Sequence, residues 1–260
     1  MKNSSPERPA SSNRDEDWGK LYDYYEVEMR EVYRTVSKPQ NDSHFLLLKN
    51  LALKYLSENA VFCEIGFSAG ITLRYAAGLF TEVYGLDISA RNVEFTREEL
   101  DREGYQNIRL FQLDLMNRNK RFHEKFNILS LIHGLEHFSD NDYPVIFENI
   151  RYYLKEGGLF TGALPYKGRF NYRMCPKCHH VFEVDGHVSS HDKASLTSLF
   201  RKHNFDILYL GNFNRYYNRR QKNFVRRSYR YLRHGVLGIE SNDQLEFIVK
   251  PGRIYKKQIS

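Results

Sequence analysis

The stretch VFCEIGFSAGITL, residues 61–73, decides the fold of this chain. It begins with a short apolar run typical of a buried β-strand, passes through a turn that contains Gly66 and Gly70, and continues with the apolar spacing of a helix. Small residues in such a turn allow a ligand to come close to the backbone at the start of the helix. The stretch therefore predicts a strand, a ligand-binding turn and a helix.

Two familiar turn motifs fit this stretch poorly. A dinucleotide-binding turn, G-x-G-x-x-G, would need glycines at positions 66, 68 and 71, where only Gly66 is present. The letters GFSAG also satisfy the G-x-S-x-G pattern of serine hydrolases, with Ser68 as the nucleophile. In those enzymes the motif follows several strands and an upstream oxyanion motif such as HGG, whereas here it follows the first predicted strand. Its position therefore disfavours a hydrolase.

A third motif, E-x-G-x-G-x-G, accounts for the turn better. Glu64, Gly66 and Gly70 match it, and Ser68 replaces its central glycine. The turn thus resembles the S-adenosylmethionine loop of the class I methyltransferases. That resemblance implies that these four positions bind the cofactor.

Two acidic residues at the ends of the next predicted strands extend the resemblance. Asp87, in YGLDIS, follows the second strand, where a carboxylate can accept hydrogen bonds from ribose hydroxyls. Asp114, in FQLDLM, resembles the family's contact to the adenine amino group, and the neighbouring Ile88 and Leu115 would then sandwich the adenine ring. Each acid could instead cap the turn that follows it.

The sequence LIHGLEHFSDNDYPVIFENIRYYLKEGGLFTGALP, residues 131–165, carries the most specific resemblance. It resembles the methyltransferases of quinone biosynthesis and of many sugar and polysaccharide gene clusters, and the likeness extends over residues 51–209. Short apolar runs alternate with amphipathic stretches along that range, which predicts a parallel sheet covered on both faces. The expected fold is α/β: a Rossmann-like class I methyltransferase sheet of seven mostly parallel strands, with an antiparallel last strand and helices on both faces.

Two histidines just past the fourth predicted strand are candidates for a general base. His133 and His137 would lie at the edge of the sheet where the acceptor binds, and histidine titrates near neutral pH. His133 is also a candidate cofactor contact, and His137 could instead order its loop. The [D/N]-P-P-[Y/F] motif of enzymes that methylate amino groups in nucleic acids does not occur at this position, which disfavours that reaction.

The Cys/His insertion, residues 166–191, follows the fifth predicted strand. Cys175 and Cys178 have the C-x-x-C spacing of a zinc knuckle, and His187 and His191 would share one face if that piece were helical. These four residues form a candidate zinc site, with a reduced thiol pair that closes a loop as the alternative. The stretch GHVSSHDKASLTSLF also resembles a segment of related methyltransferases, which favours His187 as a contact to substrate or metal.

Positive charge is concentrated in one segment. The net charge of the chain is +7, yet residues 207–239 contain no acid and eight basic residues. Those residues are Arg215, Arg219, Arg220, Lys222, Arg226, Arg227, Arg230 and Arg233. A basic amphipathic helix here would suit an anionic membrane surface, a lipid-linked substrate or RNA, or it could simply pack on the core with its charges in solvent.

The rest of the sequence sets the domain boundaries. Residues 1–17 are predicted to be disordered, residues 18–57 to form two helices, and residues 58–250 to form the cofactor-binding domain, with insertions at 166–191 and 212–238. The three cysteines and the polar start predict a cytoplasmic protein. No run reaches the roughly 18 apolar residues of a membrane span, so any membrane contact is expected to be peripheral.

These features predict an S-adenosylmethionine-dependent methyltransferase that acts on a small-molecule, glycan or lipid-linked acceptor, with an oxygen as the favoured methylated atom. One alternative is an RNA methyltransferase that uses the basic segment. Another is a non-enzymatic zinc-binding module on a methyltransferase-like fold, because Ser68 departs from the cofactor motif.

Overall fold

The computed structural model of the protein describes residues 59–212 and 244–252. The tail predicted at 1–17 and the helices predicted at 18–57 lie outside these residues. So does the basic insertion from residue 213 onward.

The first half of the described chain consists of βα units. Strand β1 leads through the glycine turn into α1, β2 leads into α2, and β3 follows. Their bounds are Val61–Ile65 for β1, Ile71–Ala77 for α1, Glu82–Asp87 for β2, Ala90–Glu103 for α2 and Ile108–Gln112 for β3. The α2 helix begins where the Ser89 side chain accepts a hydrogen bond from the Asn92 N–H, as expected of a serine cap.

The second half adds six strands and two helices. The bounds are Phe126–Ile132 for β4, Tyr143–Tyr153 for α3, Leu154–Leu164 for β5, Tyr172–Met174 for β6, Val181–Glu183 for β7, Lys193–Lys202 for α4, Phe205–Asn212 for β8 and Leu245–Pro251 for β9. Short 3₁₀ helices cover Lys120–Phe122 and Leu135–His137. Among the strands of the described ranges, β6 and β7 pair only with each other.

Seven strands form one sheet in the order β3-β2-β1-β4-β5-β9-β8. The pairs from β3 to β5 are parallel, and β9 runs antiparallel to both of its neighbours. The predicted fold class, including the antiparallel last strand, is therefore confirmed. The strand order reverses between β1 and β4, and open parallel sheets bind ligands at the carboxyl ends of the strands at such a point.

Alternation along the strands divides the core between the two faces of the sheet. In β1, Cys63 and Ile65 pack in a cluster with residues of α3 and α4, whereas Phe62 packs in a second cluster with residues of α1 and α2. Because central parallel strands are buried on both faces, they read as continuous apolar runs such as VFCEI. Among the helices of the described ranges, none has the length and apolar character needed to cross a bilayer.

The Cys/His insertion leaves and rejoins the domain at one place. Tyr166 and His191 form a parallel bridge, and the Lys167 N–H donates to the His191 carbonyl at 2.8 Å. Strands β6 and β7 form a hairpin within the insertion. The insertion is thus a closed loop, with both of its ends next to β5 and α4.

Candidate functional site

The turn after β1 has the backbone geometry of a ligand-binding loop. Gly66, Ser68 and Gly70 all have positive φ angles, of 67°, 47° and 68°. The Gly66 N–H donates to the Leu86 carbonyl at 2.7 Å, which holds the turn against β2. A Cβ added at Gly66 would meet no atom within 4 Å, so the space above this residue is open to a ligand. Ser68 keeps the left-handed conformation that favours glycine, in agreement with its position in the motif.

Asp87 ties this turn to the end of β2. Its Oδ2 accepts the Ser68 N–H at 2.9 Å, and its Oδ1 accepts the Ser89 N–H at 2.9 Å. The residue is only 4% exposed. A carboxylate offers about four acceptor positions, so these bonds are compatible with a further bond to a ribose hydroxyl. Asp87 therefore performs the local capping role, and its cofactor role stays a prediction.

The adenine side of the site differs in part from the prediction. Asp114 is partly exposed, and its Oδ1 accepts the Met116 N–H at 2.9 Å, so it too caps the turn that follows it. Ile88 is partly exposed and can contact a ligand. Leu115, by contrast, is 4% exposed and belongs to the hydrophobic core. The sandwich predicted between Ile88 and Leu115 is therefore not present, because the Leu115 side chain is covered by protein.

Glu64 lies beneath the turn instead of in its opening. It is 3% exposed, and burial raises the pKa of its carboxyl well above the ordinary value; the Thr72 hydroxyl bonded to it lowers the pKa and the nearby Asp87 raises it. Its Oε2 atom has no hydrogen-bond partner among the described residues. The open space at Gly66 and this buried oxygen are compatible with a polar ligand at the turn, so the residues fit S-adenosylmethionine.

The two histidines after β4 have different surroundings. His133 has a φ of 50° and a side chain that is 51% exposed, with its Nδ1 atom 3.5 Å from Glu136 Oε1. His137 is half-buried, and its Nδ1 lies 3.0 Å from the Gly186 carbonyl, to which it donates. Burial lowers the pKa of His137, and the charge of Glu136 opposes this effect. His133 is thus accessible from the carboxyl edge, whereas His137 also anchors the Cys/His insertion.

The predicted zinc ligands are not brought together. Cys175 and Cys178 lie at the turn of the β6–β7 hairpin, where the N–H groups of Cys178 and Lys177 lower the pKa of Cys175. His191 points into the core and lies 2.8 Å from the Tyr143 hydroxyl through its Nε2. The residues from 186 to 190 are not helical, so His187 and His191 share no helix face. In the described part of the chain, none of the groups able to hold a metal contains either cysteine or His191.

His187 lies beside His137, with ring centroids 5.2 Å apart. The residues that sequence reasoning missed here are Glu136, which is 2% exposed between the histidines, and Tyr143, whose hydroxyl contacts His191 and Ser189. Glu136 is the middle letter of LEH and Tyr143 follows six residues after this motif, and both contact the Cys/His insertion. No periodic pattern in the sequence signals such contacts.

Comparison with known proteins agrees with this geometry. A family model described as a methyltransferase domain matches residues 40–210. The structure of DhpI with SAH superposes with a TM-score of 0.62 at 16% identity, covering 90% of this chain and 96% of that one. An S-adenosylmethionine-dependent methyltransferase from Clostridium acetobutylicum gives a TM-score of 0.60 at 12% identity, covering 90% of this chain and 100% of that one. A search of curated proteins finds no match.

The strand order, the antiparallel β9 and the open turn at the β1–β4 switch point define a class I S-adenosylmethionine-dependent methyltransferase fold. The chain belongs to the methyltransferase domain family, whose model covers more than half of its length.

Proposed function

We propose that the protein transfers the methyl group of S-adenosylmethionine to an oxygen atom of a small-molecule, glycan or lipid-linked acceptor. The observation that carries the proposal is the open space above Gly66 at the switch point of the sheet, with Asp87 and Asp114 at the adjacent strand ends. When bound, S-adenosylmethionine supplies a methyl group that is already electrophilic. The protein therefore has to hold the acceptor in line with that methyl and exclude water.

The acceptor side supports an oxygen acceptor. His133 follows the carboxyl end of β4 and is half-exposed, and an imidazole nitrogen within reach of the acceptor can take the proton that a hydroxyl loses. Another solved structure is DhpI with SAM and HEP, which superposes with a TM-score of 0.62 at 15% identity over 93% of this chain and 100% of that one. A protein with this fold is thus known with a second ligand beside SAM, and we propose that the Cys/His insertion lines the acceptor side in this chain.

Cofactor binding is tested with one variant and a matched control. Gly66→Val places a side chain in the open space of the turn, so calorimetry should show at least a tenfold loss of affinity for S-adenosylhomocysteine. Gly104→Val is the control: this glycine also has a positive φ, of 83°, and open space around it, but it ends α2. Its affinity should equal that of the wild type. Absence of binding to the wild type, or equal losses in both variants, would contradict the cofactor site.

The acceptor class is tested by incubating the protein with methyl-labelled S-adenosylmethionine and a cell extract. We expect label in the small-molecule, glycan or lipid fraction, and none with Gly66→Val. Label in RNA would instead support the alternative in which the basic segment binds nucleic acid. Alkaline stability of the labelled product separates methyl ethers, which resist hydrolysis, from methyl esters.

A further inference from the structure

Three potential metal ligands converge at the end of β4. Ligand atoms of Glu136, His137 and His187 all lie within 4.8 Å of one another. Two of the residues come from the 3₁₀ turn Leu135–His137, and the third comes from the Cys/His insertion. Two imidazoles and one carboxylate are a donor set that suits divalent first-row transition metals.

The carboxylate of this group has no local partner that explains its burial. Glu136 is 2% exposed, and neither of its oxygens has a hydrogen bond in the described part of the chain. The Nδ1 atom of His133 lies 3.5 Å from Glu136 Oε1, which is longer than an ordinary hydrogen bond. Burying a carboxylate without a partner is unfavourable because the charge loses its hydration. Proteins commonly offset this loss by pairing the carboxylate with a cation or coordinating it to a metal ion.

His137 makes a ring hydrogen bond of the kind that holds metal-binding histidines. A carbonyl oxygen can only accept, so the 3.0 Å contact with Gly186 means that Nδ1 carries the proton. In the neutral ring Nε2 then has the lone pair that coordinates. Such a bond from the second ring nitrogen to a carbonyl fixes the tautomer and the ring orientation of histidine ligands.

Main-chain hydrogen bonds bring His187 to the other two residues. The Val188 and Ser189 N–H groups both donate to the Glu136 carbonyl, at 2.9 and 3.0 Å. The His187 N–H itself donates to Glu183 Oε2 at 2.6 Å. The group is therefore held in place by the backbone before any ion binds.

We propose that Glu136, His137 and His187 form a binding site for a divalent transition-metal ion such as Zn²⁺. The ion would have three protein ligands and open coordination positions, which is the arrangement of catalytic rather than structural zinc sites. If the proposed function holds, an acceptor hydroxyl can occupy an open position, and the ion then lowers the pKa of that hydroxyl. This last step rests on the proposed function, whereas metal binding does not.

A second group of potential ligands shares His187 but is less suitable. It consists of Glu183, Asp185 and His187. Both carboxylate oxygens of Glu183 already accept backbone N–H groups, from Asn171 at 2.7 Å and from His187. Asp185 is exposed, so water solvates its carboxylate and no cation is needed to offset burial. The buried Glu136 thus favours the first group.

The site is tested by titrating the full-length protein, stripped of metal, with Co²⁺ and Zn²⁺ in the absence of cofactor. We expect one equivalent of Co²⁺ to give a visible absorption band, and Zn²⁺ to displace it. Glu136→Gln and His187→Asn should each weaken binding at least tenfold. The matched controls are Asp185→Asn and His180→Asn, which change exposed residues of the same insertion and should bind as the wild type does.

Three results would overturn the proposal. The first is that the wild type binds no equivalent of metal. The second is that Asp185→Asn loses binding while Glu136→Gln retains it, which would place the ion in the second group. The third is a thiolate-to-Co²⁺ charge-transfer band that disappears in Cys175→Ser/Cys178→Ser, which would place it at the hairpin. Gly66→Val should keep full Co²⁺ binding, so failure of the metal site is distinguishable from failure of the cofactor site.

Discussion

Single residues around the glycine turn show how one side chain can serve both fold and ligand. Asp87 accepts hydrogen bonds from the turn and from the start of α2, while its contact with the cofactor ribose stays a prediction. The positions of Glu64, Asp87 and Asp114 were predictable because each lies at or near the carboxyl end of a strand that the sequence marks clearly. The burial of Leu115 was not predictable. A single leucine after a strand belongs to no repeating pattern, so the sequence does not show whether its side chain faces the core or the ligand.

Glu64→Gln should stabilise the protein increasingly as the pH rises. The pKa of the buried Glu64 is raised above its ordinary value of 4.5, so its contribution to stability is complete below that value and is lost as the pH approaches the raised pKa. Glutamine resembles the protonated acid and does not titrate. Between pH 5 and 8 the difference in unfolding free energy should grow by up to about 1.4 kcal/mol per pH unit. Urea denaturation of both proteins measures it.

The control for this experiment is Glu156→Gln, which alters an exposed residue beyond α3. The same pH trend in both variants would show that the effect does not come from the buried carboxyl.

His133→Ala should separate catalysis from cofactor binding. If His133 takes the acceptor proton, the turnover number should fall about 10²–10⁴-fold, while the affinity for S-adenosylhomocysteine stays within about twofold of the wild type. Steady-state kinetics and calorimetry give the two quantities. His123→Ala, at an exposed position near the opposite end of β4, is the control. A fall in cofactor affinity with unchanged turnover would assign His133 to the cofactor instead.

At the level of elements, helix α3 fixes the Cys/His insertion to the core. The Tyr143 hydroxyl lies 2.8 Å from His191 Nε2 and 2.9 Å from Ser189 Oγ. The sequence indicated a helix here and an insertion after the following strand, but it did not predict this contact. The insertion is attached through backbone hydrogen bonds and one tyrosine hydroxyl. Such contacts produce no hydrophobic pattern in the sequence, so only the structure shows them.

Tyr143→Phe should loosen the Cys/His insertion selectively. Removing the hydroxyl leaves buried polar groups of His191 and Ser189 with fewer partners, which costs about 1–3 kcal/mol. Hydrogen exchange should quicken in residues 186–191. Tyr153→Phe is the matched control, because this tyrosine of the same helix bonds the Asn119 N–H at 2.9 Å on the other side of the domain. Faster exchange of residues 186–191 in Tyr153→Phe as well would contradict a specific role for Tyr143.

At the scale of the whole molecule, charge is distributed unevenly. Residues 207–239 carry eight positive charges, and the net charge of +7 leaves the rest of the chain at −1. Long-range attraction to anionic surfaces therefore originates in that segment. The fold was predictable at this scale because strand and helix patterns alternate along residues 58–210. The sequence of the basic segment shows its positive charge but does not identify what it binds.

Vesicles that contain anionic lipid should bind the protein at low salt and release it at about 0.5 M salt, where screening shortens the range of charge interactions. Replacing Arg226 and Arg227 with Gln should weaken binding by about 2 kcal/mol, roughly thirtyfold. The control removes two charges elsewhere, by replacing the exposed Lys120 and Arg121 with Gln. Co-sedimentation measures the vesicle binding of the wild type and of both variants. Binding to RNA but not to vesicles would favour the nucleic-acid alternative.

The bonds that hold the Cys/His insertion to the turn after β4 have a consequence for how such proteins diverge. The donors at Val188 and Ser189 and the acceptor at Glu136 are main-chain atoms, which are present whatever side chains the chain carries. Substitutions at exposed positions of the insertion, away from His191 and Ser189, therefore leave this main-chain attachment in place. The surface of the insertion can in this way change between related proteins while the cofactor half of the domain keeps its structure.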